Sequence, residues 1–79
     1  MYLQVVIREK AKLIWEGQAE TVSSTNANGN FDVLPEHAHY VGKIEKYLIV
    51  RSGLKELKWE IGHGIMRVKD DAVEVYLGY

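Results

Sequence analysis

Apolar and polar residues alternate with a period of two along most of the chain. The clearest case closes it: over residues 72–77, Val73 and Val75 fall on one side while Glu74 and Tyr76 fall on the other. A strand sends successive side chains to opposite faces, so this period predicts β-structure. Residues 2–7, 12–15, 19–23, 31–34, 41–45, 47–51, 56–61 and 64–69 read the same way. Turn-forming residues separate them at Glu16-Gly17, residues 25–29, Ser52-Gly53, Gly62-His63-Gly64 and Asp70-Asp71. The pattern predicts an all-β fold, an antiparallel β-sandwich or flattened barrel of about eight to ten short strands. Val5, Ile14, Val22, Val33, Ile49, Trp59, Ile65 and Val75 are its expected core. Residues 36–46 are the best helical candidate, but Gly42 sits among β-formers there and limits any helix to a single turn. No repeat, linker or low-complexity tract divides the chain, so residues 1–79 are expected to form a single domain.

Composition narrows the functional classes. With 47% hydrophobic and 27% charged residues, the chain has the make-up of a folded globular domain rather than a disordered one. Ten basic against eleven acidic residues leave a net charge of -1, which supplies no global field toward nucleic acid or an anionic membrane. Partner choice must then come from local shape and local charge. The absence of cysteine removes disulfides, thiolate catalysis and cysteine-bound zinc. No apolar run reaches the ~20 residues of a membrane-spanning helix, and the start lacks the basic and apolar regions of a signal peptide. The expected location is cytoplasmic, without direct membrane insertion.

Candidate chemistry is sparse. His37 and His39 could project to one side of an extended segment, with His63 as a third imidazole, but this spacing is weak evidence for a metal site. Asp70-Asp71 has the composition of an ordinary turn, and neighbouring Glu36 and His37 would point to opposite faces if extended. Ser23-Ser24-Thr25 lacks the glycine elbow of a nucleophile, and Gly62-His63-Gly64 is too short to cradle a phosphate. No catalytic constellation and no cofactor site emerges, so the expectation is a protein that is not an enzyme. Trp15, Trp59 and the tyrosines sit singly within alternating strands, where packing is their commoner role than stacking on a sugar or on single-stranded nucleic acid. A stand-alone sandwich module that binds another protein, a small ligand or a glycan stays open as the alternative.

One stretch is more distinctive. Gly29-Asn30-Phe31-Asp32-Val33-Leu34-Pro35-Glu36-His37-Ala38 combines a polar turn, a short apolar run, the single proline and a histidine. Asn26, Asn28 and Gly29 tolerate left-handed backbone, Phe31, Val33 and Leu34 offer apolar anchors, and Pro35 ends the strand by removing a donor. The order resembles the loop of the N-terminal β-sandwich domain of the epsilon subunit of F-type ATP synthases. Further segments are similar in the same order: residues 1–6 to its opening strand, Ile14-Trp15-Glu16-Gly17 to its Phe-x-Gly segment, residues 18–22 to the strand that follows, residues 61–68 to its Ser-Gly-Gly strand entry and residues 72–77 to its closing strand.

The resemblance implies a non-catalytic central-stalk, or rotor, subunit, present as a single copy. It would bind the gamma subunit and the c-ring, couple proton or sodium flow to ATP synthesis, and lie peripheral to the inner or plasma membrane through the complex. Carried onto this chain, the ring-facing loop would comprise Asn28, Gly29, Asn30, Phe31, Asp32, Glu36 and His37. The junction of gamma and ring would comprise Arg8, Glu9, Lys10, Ala11, Val41, Gly42 and Lys43. The chain also departs from the family: Asp32 and Glu36 stand where glycine is usual, His39 where proline is, His63 interrupts a glycine pair, and Arg67 replaces a common glutamate. Glutamate accepts left-handed backbone less readily than aspartate, so the loop is expected to be rearranged at Glu36. The two added carboxylates are expected to favour a partner bearing Arg or Lys. The family's C-terminal helical hairpin does not follow Tyr79 in this sequence, which implies a subunit without that autoinhibitory element.

Overall fold

A computed structural model describes residues 1–36 and 38–78. Among them are seven strands: β1 (Leu3–Glu9), β2 (Lys12–Ala19), β3 (Thr21–Asn26), β4 (Gly29–Val33), β5 (Tyr40–Ser52), β6 (Lys55–Lys69) and β7 (Ala72–Leu77). They form one mixed sheet in the order β2-β1-β7-β6-β5-β3-β4, antiparallel throughout except that β1 and β7 run parallel.

The two long strands explain how one sheet makes a sandwich. Segments 41–45 and 47–51 join in β5, and segments 56–61 and 64–69 join in β6. Each join is a bulge. Glu45 pairs with His63 and Lys46 with Ile61, which leaves Gly62 without a partner, and Lys46 takes a φ of 74°. A bulge bends its strand and sharpens the local twist. The β5–β6 hairpin therefore turns a corner: its open half pairs onward with β7, and its closed half pairs onward with β3. The edge strand β2 then meets the closed half of the hairpin. Trp15 of β2 lies 6.3 Å from Trp59 of β6 in a tilted ring contact, and the Glu20 amide donates to the Arg51 carbonyl at 2.8 Å.

The interior is apolar and well closed. Leu3, Val5 and Ile7 of β1, Ile44, Leu48 and Val50 of β5, Met66 and Val68 of β6, and Val73 and Val75 of β7 are all essentially inaccessible. Of the expected core, Val5, Val22, Val33 and Val75 are buried and Ile14 and Trp59 are half-buried against them, whereas Ile49 is half-buried on the outward side of β5, opposite to Leu48 and Val50. Ile65 is not part of it and remains 39% exposed. The Gly62 bulge is the reason. Before it the odd-numbered Leu57, Trp59 and Ile61 face inward, and after it the even-numbered Gly64, Met66 and Val68 do.

Turns differ from expectation in the same local way. Gly62-His63-Gly64 is the corner within β6, not a reversal, and Glu16-Gly17 lies inside β2. Gly17 is needed for a close approach instead: a Cβ there would fall 2.9 Å from Trp15 Cη2. A bulge at Ile14 lets both it and Trp15 turn toward the core. Asp70 and Asp71 do form a tight turn, both left-handed at φ 51° and 62°, as a two-residue hairpin loop requires. No described residue between 36 and 46 is helical, because Tyr40 onward is paired within β5. Among the described residues no helix is long and apolar enough to cross a membrane.

Candidate partner-binding surface

The β3–β4 hairpin carries most of the loop marked out by the sequence. At its tip the Asn26 side chain accepts the Asn28 amide at 2.8 Å, and Gly29, at φ 114°, is the residue there that takes positive φ. Asn28, Gly29, Asn30 and Asp32 are exposed. Two of their side chains are fixed from below: Asn30 accepts the Tyr47 hydroxyl at 2.9 Å, and Asp32 accepts the Ser23 hydroxyl. Phe31 points the other way and packs on Tyr40 with ring centroids 4.9 Å apart, which anchors the hairpin. Leu34 is 53% exposed and anchors nothing, because it follows the buried Val33 on the opposite side of the chain. His37 lies outside the described residues.

Glu36 is the informative departure. Its backbone occupies the left-handed region at φ 77°. The Asp71 carboxylate accepts the Glu36 amide at 2.7 Å and holds that conformation from the β6–β7 turn. Asp32, by contrast, is ordinary extended strand and needs no glycine. Left-handed backbone costs a non-glycine residue about 1–2 kcal/mol, partly offset by the greater unfolded freedom of glycine. Glu36→Gly is therefore expected to stabilise the fold by about 0.5–1 kcal/mol, read as a higher urea midpoint at an unchanged m-value.

The second group straddles two strands that do not pair with each other. Arg8 and Glu9 end β1, Lys10 and Ala11 form the following turn, and Val41, Gly42 and Lys43 lie near the start of β5. β7 and β6 intervene, and the register shows what they contribute. Arg8 is opposite Leu13 on one side and Tyr76 on the other; Tyr76 is opposite Ile65, and Ile65 is opposite Lys43. One row thus runs Leu13, Arg8, Tyr76, Ile65, Lys43 across five strands. The next row runs Glu16, Val6, Glu74, Arg67, Val41. Both face outward, since the alternate residues Ile7, Val75, Met66 and Ile44 are core.

Gly42 belongs to the inner face: a Cβ there would lie 2.9 Å from the Tyr40 hydroxyl, which donates to the Lys43 carbonyl at 2.9 Å. The outward rows add Val6, Leu13, Ile65, Arg67 and Tyr76 to the residues found from sequence. Alternation alone shows that Glu74 and Tyr76 share a side, but not which strands lie beside them.

Of the exposed large apolar side chains, Val41 at 74%, Leu13 at 45% and Ile65 at 39% lie on this face, while Leu34 and Leu54 lie elsewhere. At its centre the Tyr76 hydroxyl donates to Glu74 at 3.0 Å. That hydrogen bond, with the carboxylate's charge and some desolvation, raises the tyrosine above its usual pKa, while Arg8 and Arg67 pull it down.

The described histidines stand apart from each other, and the aromatic pairs are packed inward. His39 and His63 are six residues apart along the β5–β6 ladder, about 20 Å in extended chain, so they cannot share a metal. Among the described residues no three His, Cys, Asp or Glu side chains are arranged to hold one. The two aromatic pairs, Trp15–Trp59 and Phe31–Tyr40, are half-buried against the core and offer no open stacking platform.

Comparison with known proteins agrees with this architecture. A chain of the mitochondrial ATP synthase of Euglena gracilis, in a structure of OSCP, F1 and c-ring, superposes with a TM-score of 0.87 at 19% identity over 96% of this chain and 50% of that one. A chain of the Tetrahymena thermophila mitochondrial ATP synthase, in a structure of the central stalk and c-ring, gives 0.80 at 13% identity over 100% of this chain and 65% of that one. The present chain thus spans between half and two-thirds of the length of these structural relatives. No curated protein sequence matches it. The profile of the β-sandwich domain of the ATP synthase delta/epsilon chain matches residues 2–77, and the chain belongs to that family.

Proposed function

We propose that this chain is a non-catalytic subunit of the rotating central stalk of an F-type ATP synthase, held as a single copy between gamma and the c-ring. The family match over residues 2–77 carries this reading. In it, residues 1–79 act as one domain, peripheral to the membrane through the complex, and help transmit ion-driven rotation to ATP synthesis. The β3–β4 hairpin supplies the ring contact through Asn28, Gly29, Asn30 and Asp32, with Glu36 and His37 beside it. Arg8 to Ala11, Val41 and Lys43 supply the contact with gamma.

The physical demand on a torque-bearing contact is stiffness, because side chains that are already ordered lose little entropy on docking. The hairpin meets it: Asn26, Asn30 and Asp32 are each held by a hydrogen bond to a neighbouring residue. Tagged protein purified from its native membranes in mild detergent is expected to retain gamma, the c subunit and the catalytic subunits in fixed stoichiometry. Mass spectrometry that finds none of them, or an unrelated protein at stoichiometric level, overturns the reading.

A further inference from the structure

The two outer faces of the sandwich differ in how their charges are satisfied. On the face formed by β4, β3 and the closed half of the β5–β6 hairpin, Arg51 pairs with Glu56 at 2.9 Å, Lys58 lies over the Tyr47 ring at 5.9 Å, and Asp32 accepts from Ser23. Those side chains are partnered within the face, although Glu60, opposite Tyr47, is in no salt bridge among the described residues. The opposite face, formed by β2, β1, β7 and the open half of the hairpin, carries more cations without one.

On the open face, Arg8, Lys43, Arg67 and Lys69 project outward, and among the described residues none of them is in a salt bridge. Glu16 and Glu74 are the carboxylates in the same rows, and Glu74 is engaged by Tyr76. Between the cations lie Val6, Leu13, Val41, Ile65 and Tyr76. The surface is therefore an apolar strip within an incompletely neutralised cationic frame.

We propose that this face docks a protein surface presenting an apolar ridge flanked by carboxylates, with Arg8, Arg67 and Lys43 receiving the carboxylates and Ile65, Val41 and Leu13 covering the ridge. The proposal rests on the stalk reading, in which that partner is gamma. Charge complementarity selects it: a basic or neutral surface would leave desolvated cations without partners, which costs affinity and discriminates against it. Arg67 lies between Glu74 and Val41 in its row, one strand from the middle of the face.

Size fits a shared rather than a solitary attachment. Five strands about 4.8 Å apart and two outward rows about 7 Å apart define roughly 340 Å², against about 800 Å² per partner in a standard stable interface. The remainder is expected from the adjoining Lys10-Ala11 turn and from the separate contact at the hairpin.

The test is binding of the full chain to its own purified gamma subunit, measured by calorimetry at low and moderate salt. Arg67→Glu and Arg8→Glu are each expected to weaken binding about tenfold, Arg67→Gln by less, and the wild-type affinity to fall as salt rises. Lys58→Glu, on the opposite face, is expected to change it less than about twofold. All these positions are exposed, and equal melting temperatures would confirm that each variant is folded.

Wild-type binding that is unchanged or strengthened by Arg8→Glu and Arg67→Glu overturns the docking chemistry while leaving the stalk reading in place. Failure of the wild type to bind gamma overturns that reading and this inference with it. Self-association in sedimentation that Ile65→Glu abolishes would assign the face to a second copy of the chain instead, and would likewise overturn it.

Discussion

Leu48→Ala is expected to remove about 3 kcal/mol of folding free energy, the middle of the range for truncating a buried leucine. Leu48 is fully inaccessible and sits at the centre of the closed half of the sandwich, opposite Ser24 on one side and Trp59 on the other. Its neighbours are tied in place, which limits their collapse into the space left behind. The Ser24 hydroxyl donates to the Tyr47 carbonyl at 2.7 Å, and the Tyr47 hydroxyl, whose one proton is shared with the nearer Asn30, lies 3.2 Å from the Ser24 carbonyl.

A domain of this size has about 4–12 kcal/mol in total, so the variant should lose a quarter or more of its stability. Its melting temperature should fall by about 12–24 °C, which scanning calorimetry would read directly. Ile49→Ala, one residue along and half-buried on the other face, is expected to cost about 1 kcal/mol. Equal losses at the two positions would mean that the inward phase of β5 is not the one described.

That comparison bears on what the sequence could reveal. Residues 47–50 are Tyr-Leu-Ile-Val, a continuous apolar run in which alternation carries no phase, and nothing local distinguishes Ile49 from its neighbours. The partner strands decide it, by placing Leu48 and Val50 beside Ser24 and Val22 on the inner side. Where polar residues alternate cleanly, as in β7, both strand and facing are legible from the residues alone. The two corners were not. A bulge inserts one residue and reverses the phase beyond it, so Trp59 and Ile65, which share a parity, end on opposite faces.

The candidate surface divides in the same way. The β3–β4 hairpin is local, and its tip could be read from Asn26, Asn28 and Gly29. The outward rows on the open face join residues far apart in sequence through the parallel pairing of β1 with β7, which no short pattern encodes. Arg8 and Lys43 were each visible; the strip of Tyr76 and Ile65 that joins them needed the register.

The glycines at the corner give a second large and discriminating effect. Gly64 is buried, and a Cβ there would lie 3.0 Å from both Leu77 Cδ2 and the Tyr76 carbonyl oxygen, with Ile44 Cγ1 at 3.4 Å. The leucine methyl can move, but the carbonyl belongs to β7 and is fixed by its pairing with β6. Gly64→Ala is therefore expected to destabilise by about 2 kcal/mol through overpacking at the point where the sheet bends. Gly62, two residues earlier, has nothing within 4 Å of a built Cβ and does not use left-handed backbone. Gly62→Ala should be neutral or stabilise by up to about 1 kcal/mol, because alanine restricts only the unfolded chain. Chemical denaturation of the pair separates two accounts of the Gly-His-Gly segment. If it were a reversal needing glycine for its turn, both substitutions would be costly; if it is a bent strand whose second glycine admits a neighbouring strand, only Gly64→Ala will be.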